Sequence, residues 1–359
     1  MGRSWLATRI RSHGSRAITR AAPSARSCRC PAAGPEPEPE LELELESPNR
    51  FPLTRSCAVT IETDSFDRVF KHHKLFVNGI QLHVVVGGQG PALLLQHGWM
   101  GSWYSWRKVM PALAERFTVI VPDARGYGDS AKPAAGYDGL TVKEDLRQVL
   151  RALGHGRAFV MGHDMGAPAA LLMAAHHPDE VIGVGYFDEP LLGVNLERFT
   201  AFRPDNPFVY WWFAFNATEH IAAMLWEGKE DRMVDHMITA MVADPRSVTA
   251  RDRAEYVRGL RSPGGLNGSF GWYRDSLLTG RQIVEATQGR VLEVPVLALN
   301  GEYGHPGVAE QFEGIAATID GATIPGCGHL LAEEQPAAVV AHILAFAERH
   351  GRRLGDATM

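Results

Sequence analysis

The chain has 359 residues, 45% hydrophobic and 21% charged, with 36 basic against 41 acidic side chains. Those values exclude a disordered chain, a collagen and a nucleic-acid binder with a basic footprint. Four cysteines, Cys28, Cys30, Cys57 and Cys327, are too few for a disulfide framework and fit a reduced compartment. The longest unbroken apolar run, Phe208–Phe215, has eight residues; a membrane-spanning helix needs about 20.

Residues 1–60 differ in texture from the rest. Met1 to Arg29 holds seven arginines and no acid, the composition of an organellar transit peptide or of an unstructured leader. Without such a signal, the expected location is the cytoplasm. Six glutamates between Glu36 and Glu46 then repel one another and bury nothing, as in a solvated linker. Residues 1–60 are therefore set apart as an extension.

From Phe70 the chain alternates. Leu75–Val77 and Ile80–Val84 flank Asn78-Gly79, a pair suited to the positive φ angles of a type I′ hairpin turn. Ala92–Gln96 is a short, continuously apolar strand. Ser102–Phe117 has helical spacing, and Thr118–Val121 is a strand closed by Pro122. Val142–Leu153 is an amphipathic helix with Thr141 as N-cap and Glu144 completing a capping box. Strand 158–161, helix 167–177 and strand 181–187 follow. The rhythm breaks over 191–283, which is aromatic and helical, and resumes with strand 295–300, a helix near 308–319, a strand at 322–324 and a helix over 336–349. Alternating strands and helices predict an α/β fold, a mostly parallel sheet with helices on both faces. The core is read as 61–190 with 284–350, and 191–283 as a helical lid over the carboxyl edge of the sheet, where ligands bind in such folds.

The chemistry concentrates at Gly162-His163-Asp164-Met165-Gly166. A strand enters a helix through Gly-x-Asp-x-Gly, the pattern of a nucleophile elbow with aspartate at its tip. A carboxylate attacking a carbonyl gives an unstable anhydride, whereas attack on an sp³ carbon gives an ordinary ester. Epoxides and alkyl halides are thus the expected substrates. Cys327-Gly328-His329 follows the last strand and supplies His329 as base. The amides of Trp99, after His97-Gly98, and Met165 are placed for an oxyanion hole. Asp188 is the favoured acid to orient the base, with Glu189 and Glu302 as competitors; the unused carboxylates are expected to be solvated.

These pieces, with Asp123-Ala124-Arg125-Gly126-Tyr127-Gly128-Asp129-Ser130 as a structural loop, resemble the α/β-hydrolase superfamily over residues 70–348. Within it they resemble the branch of epoxide hydrolases and haloalkane or haloacid dehalogenases. The resemblance implies an α/β-hydrolase fold with a lid that carries hydrogen-bond donors for the departing oxygen. Tyr273, in Gly271-Trp272-Tyr273-Arg274, matches one donor site. The other falls in Tyr210-Trp211-Trp212-Phe213, where register points to Trp212 and Tyr210 is the alternative. Hydrolysis of epoxides to vicinal diols is the leading expectation. Dehalogenation is second, because the positions that carry a halide-binding Trp or substrate-clamping arginines in those relatives hold Met165 and Pro168. A non-catalytic binding protein is third. The expected ligand is a small apolar molecule, with no nucleic acid, no metal and no organic cofactor.

Overall fold

Asn78 and Gly79 take φ angles of +46° and +77°, the left-handed pair that a tight hairpin requires. They join β1 (Phe70–Val77) to β2 (Ile80–Gly87). The structure is a computed structural model, which describes residues 63–194 and 207–351. The extension 1–60 lies outside the described residues, and a short helix, α1 (Thr63–Val69), leads into β1. No helix among the described residues is long and apolar enough to cross a membrane.

The remaining strands are β3 (Ala92–Gln96), β4 (Thr118–Pro122), β5 (Ala158–His163), β6 (Val181–Phe187), β7 (Val296–Gly301) and β8 (Ile319–Ile324). They form one sheet in the order β1-β2-β4-β3-β5-β6-β7-β8. β2 runs antiparallel to both β1 and β4, and the other pairs are parallel. Both faces are covered, so side chains alternate between two cores. Leu94, Val160, Val184 and Ala298 enter one; Leu93, Leu95, Phe159, Met161, Leu297 and Leu299 enter the other. β3 pairs with β4 on one side and β5 on the other, so successive crossovers leave in opposite directions there. The carboxyl ends of β3 and β5 consequently open a crevice.

Three local expectations are corrected. The segment 102–117 is not one helix. Ser102 Oγ accepts from the Tyr104 amide at 3.2 Å and starts a single 3₁₀ turn, Trp103–Trp106. The chain then restarts as α2 (Met110–Ala114) with Pro111 in its first turn, because proline lacks an N–H and clashes with a preceding helical turn. In α3 (Gly139–Ala152) the cap is Asp138, which accepts from the Thr141 amide at 3.2 Å and its hydroxyl at 2.6 Å. Thr141 sits inside that helix, and Glu144 pairs with Gln148 at 3.0 Å. The helix expected near 308–319 is only a 3₁₀ turn, Glu310–Phe312, bracketed by Gly307 and Gly314 at φ +70° and +76°.

α4 (Ala167–His176) is buried along nearly its whole length and rests on β5 and β6, as its Ala- and Leu-rich sequence requires. Between β6 and β7 the described residues hold six helices: α5 (Pro207–Ala217), α6 (Ile221–Trp226), α7 (Glu230–Met241), α8 (Ala250–Arg261), α9 (Gly265–Arg274) and α10 (Ser276–Thr287). After β8 come α11 (Leu331–Glu334) and α12 (Pro336–His350).

Candidate active site

Asp164 sits where β5 turns into α4, at φ +51°. A non-glycine residue holds this left-handed conformation only where its surroundings impose it. Here the glycines on either side allow the imposition. A Cβ on Gly162 would lie 2.5 Å from the Ala167 Cα, and one on Gly166 would collide with the His97 carbonyl. The turn projects the Asp164 carboxylate into the crevice against Gly98, where a Cβ would lie 2.7 Å from the carboxylate carbon. Gly98 is therefore a packing requirement of the Asp164 carboxylate as well as a turn.

Both carboxylate oxygens are engaged. Oδ1 accepts from the Trp99 amide at 2.6 Å, and Oδ2 lies 3.0 Å from His329 Nε2. The Trp99 amide thus already points at one oxygen of the carboxylate that an ester would carry. Met165 follows on the same turn and is buried. The other imidazole nitrogen, Nδ1, lies 2.7 Å from Asp188 Oδ2. Asp188 is fully buried at φ +50° just beyond β6, and it also accepts from the amides of Gly301 at 2.9 Å and His305 at 3.1 Å. Of the three candidate acids it is the one that touches His329. Glu302 is exposed and holds the Gly326 amide at 2.8 Å. Glu189 does not touch His329 Nδ1 either, and the expectation that it is solvated is wrong: it is 1% exposed.

These contacts bias the ionisation of Asp164 and His329. Burial alone would raise Asp164, but the hydrogen bond and charge of His329, with His163 and the Trp99 amide, hold it well below the usual carboxylate range. Burial alone would lower His329, yet hydrogen bonds and charges from Asp164 and Asp188 hold the imidazole well above its ordinary value. Both shifts favour an ionised Asp164 beside a protonated His329.

Across the crevice stand the aromatic rings of the insertion. Trp212 packs edge-on against Trp99 with centroids 4.8 Å apart, and Tyr273 lies 6.0 Å from the Trp99 ring. Trp212 Nε1 donates to the Tyr273 hydroxyl at 2.9 Å. The two expected donors are therefore arranged in series rather than side by side: the indole fixes the phenol oxygen. Burial and the charge of Asp164 hold the Tyr273 hydroxyl well above its ordinary pKa, so it stays protonated. Tyr210 lies in the first turn of α5, and its side chain is outside the described residues.

Several supporting residues escaped the sequence reading. His163 Nε2 donates to the His329 carbonyl at 2.8 Å, and burial with the nearby charge of His329 lowers it to about 4. The His329 amide donates to the Met241 carbonyl at 2.7 Å, so the end of α7 anchors the loop that carries His329. Glu334 accepts from the amides of Gly328 at 3.0 Å and Ala243 at 2.7 Å, joining the same two segments. Behind them, Glu333 is buried with Arg107, Lys108 and the Tyr256 hydroxyl. Arg107 also holds Asp252 of α8 at 2.8 Å. Only His163 had a local signal, its place beside Asp164 in Gly162–Gly166.

A mostly parallel sheet with an aspartate elbow, a late histidine and a buried acid defines an α/β-hydrolase, and the chain belongs to that family. Residues 91–217 match the family described as alpha/beta hydrolase fold. Over 279 residues the chain is 32% identical to the soluble epoxide hydrolase of Corynebacterium sp. (strain C12), covering 77% of this chain and 96% of that one. It is 28% identical to the fluoroacetate dehalogenase of Burkholderia sp, covering 66% and 79% of the two chains. Among solved structures, wild-type Cfl2 from Burkholderia cenocepacia superposes with a TM-score of 0.75 at 34% identity, over 77% of this chain and 96% of that one.

Proposed function

We infer that the protein hydrolyses epoxides to vicinal diols through an ester on Asp164, with residues 191–283 acting as the lid. The observation that carries this reading is the row Asp164–His329–Asp188, with contacts of 3.0 and 2.7 Å, facing the Tyr273 hydroxyl across an aromatic crevice. The epoxide hydrolase relative supports the substrate class.

In the first step Asp164 Oδ2 attacks an epoxide carbon from behind while the C–O bond breaks. Tyr273, its oxygen fixed by Trp212, donates to the departing oxygen, which takes up one proton. Esterification removes the charge of Asp164. That charge was one of the two holding His329 protonated, so the imidazole gives up its proton to balance the alkoxide and becomes a base. In the second step neutral His329, oriented by Asp188, takes a proton from water as the water oxygen attacks the ester carbon. The tetrahedral oxyanion forms at Oδ1, where the Trp99 amide already points, with the Met165 amide alongside. Collapse expels the product alkoxide, which takes the proton of the new carboxylic acid. Asp164 is again a carboxylate and His329 an imidazolium.

Dehalogenation uses the same nucleophile and is the second reading, supported by the fluoroacetate dehalogenase relative. It is disfavoured because the Trp212 indole is occupied by Tyr273, and because Met165 and Pro168 offer no charge to a substrate carboxylate. The ligand is a small apolar molecule, and the cytoplasm is the proposed location. The test is a screen of epoxides and alkyl halides that resolves diol from free halide, with Asp164→Asn as control. In heavy-oxygen water with excess enzyme, Asp164 gains label during turnover. A screen yielding halide and no diol overturns the epoxide reading; absence of label in Asp164 overturns the ester.

A further inference from the structure

Glu189 has no part in the Asp164–His329–Asp188 row, yet it is the residue after Asp188 and is almost fully buried. Its Oε1 has no hydrogen-bond partner among the described residues. The carboxyl is not free to swing out to solvent, because the backbone beyond it is pinned. The Tyr186 hydroxyl donates to the Pro190 carbonyl at 3.0 Å, and the Leu191 amide donates to Gln311 Oε1 at 2.6 Å. The charged and titratable groups whose fields reach it are Asp164 on the elbow, His329 on the last loop, Asp188 on its own segment, Tyr186 on β6 and Tyr273 on α9. Burial first, and then the charge of Asp164, hold its pKa well above the ordinary carboxyl range. Both influences favour its neutral form, which has an oxygen to accept and a hydroxyl to donate.

A buried oxygen without a partner is unfavourable, and proteins keep one where a ligand completes it. The crevice walls are aromatic rings, which suit an apolar substrate. The polar molecule that every turnover must bring is water. The attacking water gives one proton to His329 Nε2 and directs a lone pair at the ester carbon of Asp164, and these two contacts leave its rotation about that line unset. An acceptor for the second proton sets it.

We propose that the Glu189 carboxyl holds the water that hydrolyses the Asp164 ester, Oε1 accepting the proton that His329 does not take. The inference rests on the ester mechanism and not on the identity of the leaving group, since epoxide and halide esters are released by the same water. Glu189 would then touch a reacting molecule and act in the second step alone.

The experiment mixes epoxide rapidly with the full-length wild type, Glu189→Gln and Glu189→Leu, and follows ester formation and decay separately by quenching and intact-protein mass. In Glu189→Leu the ester should form within about twofold of the wild-type rate, and its decay should slow about tenfold or more, the loss of one oriented hydrogen bond. Glu189→Gln keeps an acceptor of the same reach and should decay within about threefold of wild type. Ester formation by the leucine variant at the wild-type rate certifies that it is folded. Wild-type decay in Glu189→Leu overturns the proposal. So does slowing confined to ester formation, which would place Glu189 against the substrate, and so does failure of ester formation in both variants. If the wild type itself forms no ester with any epoxide or halide, the mechanism falls and this inference with it. A wild type that forms and releases ester separates the two failures.

Discussion

His163 makes stability depend on pH in a calculable way. Its ring donates to the His329 carbonyl at 2.8 Å, with the two imidazole centroids 4.8 Å apart. Burial and that neighbour lower its pKa from 6.5 to about 4. An unfolded chain binds the proton near 6.5 and the folded chain does not until about 4. As the pH falls through that window the unfolded state gains a proton that the native state refuses, so stability drops with falling pH and levels off below about 4. The gap of roughly 2.5 units, at about 1.36 kcal/mol each, amounts to about 3 kcal/mol. Substitution by Gln removes the titration and keeps an amide donor. Urea unfolding of wild type and His163→Gln at several pH values from 7.5 to 4 isolates the effect, because every other group titrates in both. Wild-type stability should fall more steeply, by up to about 3 kcal/mol across the window. Parallel curves would refute the assignment of a neutral, shielded His163.

Three further outcomes follow from the site. His329→Gln should accumulate the ester, seen as a mass gain equal to the epoxide, with turnover lowered about 10²–10⁴-fold; a variant that never alkylates contradicts the division of labour between the two steps. Tyr273→Phe should slow ester formation about 10²-fold or more, whereas Trp212→Phe should cost less because the indole acts through the phenol; the opposite ranking in rapid-quench rates would restore Trp212 as the principal donor. Glu333→Leu leaves Arg107 with Asp252 alone and removes the carboxylate beside Lys108, and should destabilise by about 3–5 kcal/mol in urea unfolding; a loss below about 1 kcal/mol would contradict a structural role for the Glu333 ion pairs.

What the sequence made legible is what short segments encode. The hairpin at Asn78-Gly79, the buried strands, the elbow around Asp164 and the loop of His329 depend on neighbours within a few residues. The errors arise where two local signals compete. Asp138 and Thr141 are both competent caps, and only the fold decides which one stands at the helix start. Pro111 outweighs the apolar spacing of 102–117. Burial of a second carboxyl is invisible in Asp188-Glu189, since nothing in the dipeptide says that both side chains face inward. The Arg107–Glu333 pair spans 226 positions, and neither residue carries a mark of its partner.

The bond from the His329 amide to the Met241 carbonyl has a bearing on how such enzymes can be recombined. A helical insertion between two strands invites exchange as a module, a route to new substrate ranges. In this chain the module's own backbone helps to seat His329, and Gly328 is pressed against Val242 and Ala243 with no room for a side chain. A chimaera that imports a foreign insertion therefore inherits a foreign seat for its histidine. Grafts that retain the segment from Met241 to Ala243 are the ones in which altered selectivity should come without a misplaced His329.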